Sequence, residues 1–115
     1  MTVTIYHNPR CSKSRQTLQL IEAYGIKPKI VEYLQTPPSA AELKDILRKL
    51  GIKPRDLLRS GEARYAELEL KDAKLDDDAL IVIMTENPIL IERPIVVSED
   101  KAAIGRPPEK VLEIL

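Results

Sequence analysis

The chain has 115 residues, enough for one hydrophobic core, and its 18 basic and 18 acidic side chains cancel, so no overall field draws it to nucleic acid or an anionic membrane. It holds no Phe or Trp and only four scattered tyrosines, which leaves no platform for stacking bases and makes the core aliphatic. One cysteine and one histidine exclude an internal disulfide and supply no metal cluster; with no basic-then-apolar leader and no apolar run long enough for a bilayer, the expected setting is a reducing cytoplasm.

The first β-prone run is Val3, Ile5 and Tyr6, and it ends in His7-Asn8-Pro9, where proline cannot continue a ladder. A helix follows: Thr17, Leu20, Ile21 and Tyr24 recur at the offsets of one buried face, Leu18 widens it, and Gly25 can end it in the left-handed conformation. Ile30 to Leu34 reads as a second strand, stopped by Thr36-Pro37-Pro38, and two strands around a helix predict a parallel βαβ pair. Ser39 and Glu42 then form a Ser-x-x-Glu capping box ahead of the stripe Leu43, Ile46, Leu47, Leu50, closed by Gly51.

From Ile52 to Asn87 strand signals are missing, and the segment reads as helical. A short helix starts at Pro54 and runs through Leu57 and Leu58, Ala63 to Leu68 adds a turn or two, and Asp76-Asp77-Asp78 cap a longer helix through Leu80, Ile83 and Met84. Ile95 to Ser98 and Lys101 to Gly105 flank Glu99-Asp100 as a β-hairpin, and Pro107-Pro108 open a closing helix in which Val111, Leu112 and Leu115 can face the sheet. The expected fold is therefore α/β, a thioredoxin-like mixed sheet in one domain over 1–115, with a helical insertion at about 39–87 between the βαβ half and the ββα half.

Cys11 falls at or just before the start of the first helix. Unpaired N–H groups and the positive end of the helix dipole favour a thiolate there and can hold an anion beside it. Arg10, Lys13 and Arg15 flank the sulfur, His7 stands four residues before it, and Ser12 and Ser14 offer hydroxyls. These polar, cationic surroundings favour a reactive thiol over a small buried core cysteine.

The motifs Tyr6-His7-Asn8-Pro9-x-Cys11-x-x-Ser14-Arg15, Leu57-Leu58-Arg59, Pro88-Ile89-Leu90-Ile91-x-Arg93-Pro94-Ile95-Val96 and Arg106-Pro107 together resemble the glutaredoxin-coupled arsenate reductase family, over essentially the whole chain. That resemblance implies Cys11 as nucleophile, Arg59, Arg93 and Arg106 as the oxyanion-binding set, His7, Ser14 and Arg15 in support, and a cis peptide at Pro94. It further implies reduction of arsenate to arsenite by a monomer with no bound cofactor, glutathione as co-substrate and glutaredoxin as partner. A tetrahedral oxyanion suits such a set: a thiolate attacks arsenic while planar guanidinium groups neutralise the oxygens.

Cysteine counting separates relatives. A phosphatase-like reductase needs Cys-x5-Arg, but six residues after Cys11 stands Thr17, and a dithiol site needs Cys-x-x-Cys, but the second position is Ser14. Two alternatives remain: a glutathione-dependent thiol-disulfide oxidoreductase of the same superfamily, and an Spx-type regulator that binds RNA polymerase.

Overall fold

Val3, Ile5 and His7 turn to a buried face of the first strand, while Thr4 and Tyr6 stay half-exposed on the other, the two-residue period of a pleated ribbon. In the computed structural model, which describes residues 2–72 and 74–115, this strand, β1 (Val3–His7), pairs on both sides. It runs parallel to β2 (Lys29–Glu32), with Ile5 opposite Ile30, and antiparallel to β3 (Ile95–Ser98), with Ile5 opposite Val96. A hairpin with Glu99 at φ 55° returns β3 into β4 (Lys101–Ile104), completing a mixed sheet of order β2-β1-β3-β4. Helix α1 (Ser12–Ala23) makes the crossover between the parallel strands.

These elements form one compact unit, Met1–Thr36 with Arg93–Leu115, and Pro37–Glu92 forms a second. The core of the first unit is Val3, Ile5, Ile21, Val96 and Val111, with Leu18, Ile26, Ala103 and Ile114 packed against it. Full burial of each Val or Ile in that core stabilises the fold by roughly 1.5–3 kcal/mol relative to exposure.

The second unit is helical, as the patterning predicts. Helix α2 (Ala40–Leu50) carries the full capping box, Ser39 Oγ accepting the Glu42 N–H at 3.1 Å and Glu42 Oε1 accepting the Ser39 N–H at 3.1 Å, and it ends on Gly51 at φ 69°. It packs with α3 (Pro54–Leu57) on α5 (Asp77–Glu86), while α4 (Ala63–Glu67) lies against a 3₁₀ turn, Pro88–Leu90. Arg64 Nε donates to Asn87 Oδ1 at 2.9 Å, tying α4 to the end of α5.

Three local expectations are corrected. The second strand stops at Glu32 rather than Leu34, because the N–H groups of Gln35 and Thr36 both turn back onto the Glu32 carbonyl, at 3.0 and 2.9 Å. Tyr24, assigned to the buried stripe of α1, is 59% exposed as the C-cap, whereas Ser14, Thr17 and Ile21 form the buried row. The closing segment Pro108–Ile114 is a 3₁₀ helix: Val111 is buried in the core and Leu115 packs against it as expected, while Ile114 takes the place expected for Leu112.

Candidate active site

The loop from β1 to α1 is built around Asn8. Its carbonyl accepts the Cys11 N–H at 3.0 Å across Pro9-Arg10, a four-residue turn with proline at its favoured second place, and its Oδ1 accepts the Arg10 N–H at 3.0 Å. The Asn8 N–H donates to Ser14 Oγ at 3.0 Å, and Ser14 Oγ lies 2.6 Å from His7 Nδ1, so strand end, turn and helix start are joined through one buried hydroxyl. Arg15 Nη1 closes the loop from outside by donating to the Pro9 carbonyl at 2.9 Å.

This frame sets Cys11 as the N-cap of α1, with φ −93° and ψ 123° and its carbonyl taking the first helical bond, from Arg15, at 3.0 Å. The thiol makes no capping bond, and the first turn carries no acidic residue, so the helix start offers its N–H groups and dipole to an anion without a resident carboxylate. The sulfur is buried, with the residue 8% exposed.

Two of the expected arginines share this unit with Cys11. Arg106 Nη2 lies 3.8 Å from Cys11 Sγ, and Arg106 Nε donates to the Arg93 carbonyl at 2.7 Å, so its guanidinium spans from the 93–94 loop to the sulfur. At that distance a fixed cation is placed to bind an oxyanion beside the sulfur. Arg93 is half-buried with Nε and Nη1 shielded from solvent, and the Arg93–Pro94 peptide is cis, as the resemblance implies; Arg106–Pro107 is cis as well.

Arg59 belongs to the second unit. Its side chain pairs with Glu62 and, through Nε at 3.8 Å, with Glu92, while its backbone N–H donates to the Leu90 carbonyl at 2.8 Å. The bonds from Arg59 to Leu90 and from Glu92 to Leu57, at 2.9 Å, hold the two motif segments side by side.

Within the first unit the fold perturbs the titration of His7. Burial pushes its pKa below the ordinary 6.5, the Glu32 carboxylate opposing and the Arg15 guanidinium assisting. A neutral imidazole against Ser14 Oγ fits that direction, because it can exchange a hydrogen bond without carrying a charge into the sheet.

Sequence reasoning passed over the contact that seats Arg106. Gly105 donates its N–H to the Pro94 carbonyl at 2.9 Å, and a Cβ there would lie 2.5 Å from Thr17 Oγ1 and 2.8 Å from Pro94 Cγ. Thr17, expected as a stripe residue, is fully buried and donates its hydroxyl to the Lys13 carbonyl at 2.7 Å. A lone Gly before Arg106-Pro107 at a strand end was the available signal for a close backbone approach.

Among the described residues no helix is long and apolar enough to cross a membrane. The chain is 56% identical over 114 residues to the uncharacterized protein YfgD of Escherichia coli K12, covering 98% of this chain and 96% of the other. It is 52% identical to an arsenate reductase of Haemophilus influenzae, with complete coverage of both. Among solved structures, an arsenate reductase from Vibrio cholerae superposes with a TM-score of 0.98 at 55% identity, covering 100% of this chain and 98% of that one. With the ArsC family model matching residues 6–114, the chain belongs to the ArsC family.

Proposed function

We propose that the protein reduces arsenate to arsenite with Cys11 as nucleophile, using glutathione as the second thiol and glutaredoxin to regenerate the enzyme. The observation that carries this reading is the Arg106 guanidinium 3.8 Å from Cys11 Sγ at an uncapped helix start. In this reading Arg93, Arg106 and Arg59 neutralise the arsenate oxygens, while His7, Ser14 and Arg15 hold the loop that carries the thiol.

The Cys11 thiolate attacks arsenic(V), and one oxygen leaves as water, giving a Cys11–S–As bond. A single cysteine cannot supply two electrons by an internal disulfide, so glutathione attacks the Cys11 sulfur. The S–As electron pair goes to arsenic, arsenite departs, and Cys11 is left in a mixed disulfide with glutathione. A glutaredoxin thiol then attacks that disulfide and frees Cys11. The guanidinium charges act where negative charge builds on the oxyanion, which is where preorganised donors contribute most.

The test is arsenate turnover by pure protein with glutathione, glutaredoxin and coupled NADPH consumption. Wild type is expected to turn over and Cys11→Ser to fall to background. Turnover retained by Cys11→Ser overturns the mechanism. Glutathione-dependent reduction of small disulfides without arsenate turnover would favour the thiol-disulfide oxidoreductase instead.

A further inference from the structure

A cleft of about 150 Å³ opens at the carboxyl ends of the parallel strands β1 and β2, walled by His7, Asn8, Pro9, Arg10, Glu32, Leu34 and Gln35. Three of these residues are the turn that presents Cys11, yet none belongs to the arginine set. Arg10 and Glu32, both exposed, set one cation and one carboxylate in its wall, and neither is in an ion pair among the described residues. Gln35 and Asn8 add amides, and Leu34, 40% exposed, adds an apolar surface.

Opposite charges left unpaired in one small cleft are complementary to a ligand that carries both signs close together. An amino-acid zwitterion does so, with its ammonium and carboxylate on one carbon, and the γ-glutamyl end of glutathione keeps both groups free because its peptide link uses the side-chain carboxyl. The cleft is smaller than the roughly 300–1,000 Å³ of sites that enclose a drug-sized ligand, so it suits one end of such a molecule and leaves the rest to extend. Charge complementarity of this kind selects partners and raises encounter rates more than it adds affinity.

We propose that this cleft is the subsite for the zwitterionic end of a small peptide thiol, glutathione being its representative, with Glu32 receiving the ammonium and Arg10 the carboxylate. The thiol then approaches the Cys11 sulfur from the β2 side of the turn. The identity of the thiol rests on the reading given above, but the subsite can be tested without arsenate, so a failure of arsenate reduction leaves the result interpretable.

The experiment follows thiol–disulfide exchange at Cys11 by mass spectrometry: the Cys11 thiolate attacks a disulfide, a mixed disulfide forms, and the other half leaves as thiolate. Glutathione disulfide is compared with uncharged hydroxyethyl disulfide in wild type, Arg10→Ala and Glu32→Gln. In each variant the rate with glutathione disulfide, taken relative to that with hydroxyethyl disulfide, is expected to fall about fivefold, the size of an exposed charge pair. Equal losses with both disulfides mean that the charges act on the sulfur, and no loss with either means that the cleft binds neither; both results overturn the assignment. Both side chains are exposed, so the variants are expected to fold, and far-UV circular dichroism checks that they do.

Discussion

Replacing Gly105 by alanine adds one methyl group where the fold leaves no room. That carbon would stand 2.5 Å from Thr17 Oγ1, 2.8 Å from Pro94 Cγ and 3.1 Å from Thr17 Cγ2. None of these atoms can yield easily: Thr17 is fully buried and bonded to the Lys13 carbonyl, and Pro94 is a buried ring. Overpacking a rigid contact by one methyl costs about 1–3 kcal/mol, and two contacts under 3 Å place this case at the upper end, about 2–3 kcal/mol, or roughly a 10 °C fall in Tm for a chain of this size. Urea and thermal unfolding of Gly105→Ala measure it directly. Thr17→Ala removes two of the three clashing atoms, so the double variant is expected to be less destabilised than the sum of the singles. A Gly105→Ala protein within about 0.5 kcal/mol of wild type, or strict additivity in the double variant, would refute the close-approach argument.

Arg106→Ala is expected to lower kcat/KM for arsenate by on the order of 10- to 100-fold, the worth of a charge-assisted contact, and Arg106→Lys to recover only part, since an ammonium cannot both bond the Arg93 carbonyl through the Nε position and reach Cys11; steady-state kinetics read both. Ser39→Ala should cost about 1 kcal/mol in unfolding free energy without altering activity, because it removes half of the reciprocal cap on α2. The lowered pKa of His7 sets a pH dependence. Above pH 6.5 the folded and unfolded chains bind the same protons at this site; as the pH falls below 6.5 the unfolded chain gains a proton that the folded chain refuses, so stability declines until the folded-state pKa is reached and then levels. The stability advantage of wild type over His7→Asn should therefore shrink on acidification through this window, and a widening gap would contradict the assigned direction.

What the sequence revealed about the fold was whatever local chemistry decides. The capping box at Ser39 and Glu42, the left-handed Gly51, the Asp76 cap and the β3–β4 hairpin each follow from neighbouring residues, and each stands where expected. The α1 stripe was half right because its buried row is chosen by tertiary partners: Ser14 is drawn in by His7 and Asn8, while Tyr24 lies beyond the helix as its cap and faces solvent. The closing helix has Val111 and Leu115 on the core as the pattern implies and differs in Ile114 standing where Leu112 is expected, since α and 3₁₀ periods are hard to separate over seven residues.

For the candidate site, the position of Cys11 at the helix start was legible from a strand, a turn and a helix in succession. The seating of Arg106 against Arg93 was not, because it depends on Gly105 meeting Pro94 and Thr17, residues 11 and 88 positions away in the chain. The cleft at Arg10 and Glu32 was hidden for the same reason: it exists only once β1 and β2 lie side by side, with His7 opposite Glu32.

The most direct measurement is the rate at which iodoacetamide alkylates Cys11 as arsenate is titrated in, for wild type and for Arg106→Ala. An oxyanion held by guanidinium against the sulfur predicts saturable protection in wild type and a shift of the half-protecting concentration to at least about tenfold higher in the variant. Alkylation that ignores arsenate at every concentration, or protection identical in the two proteins, would contradict the account.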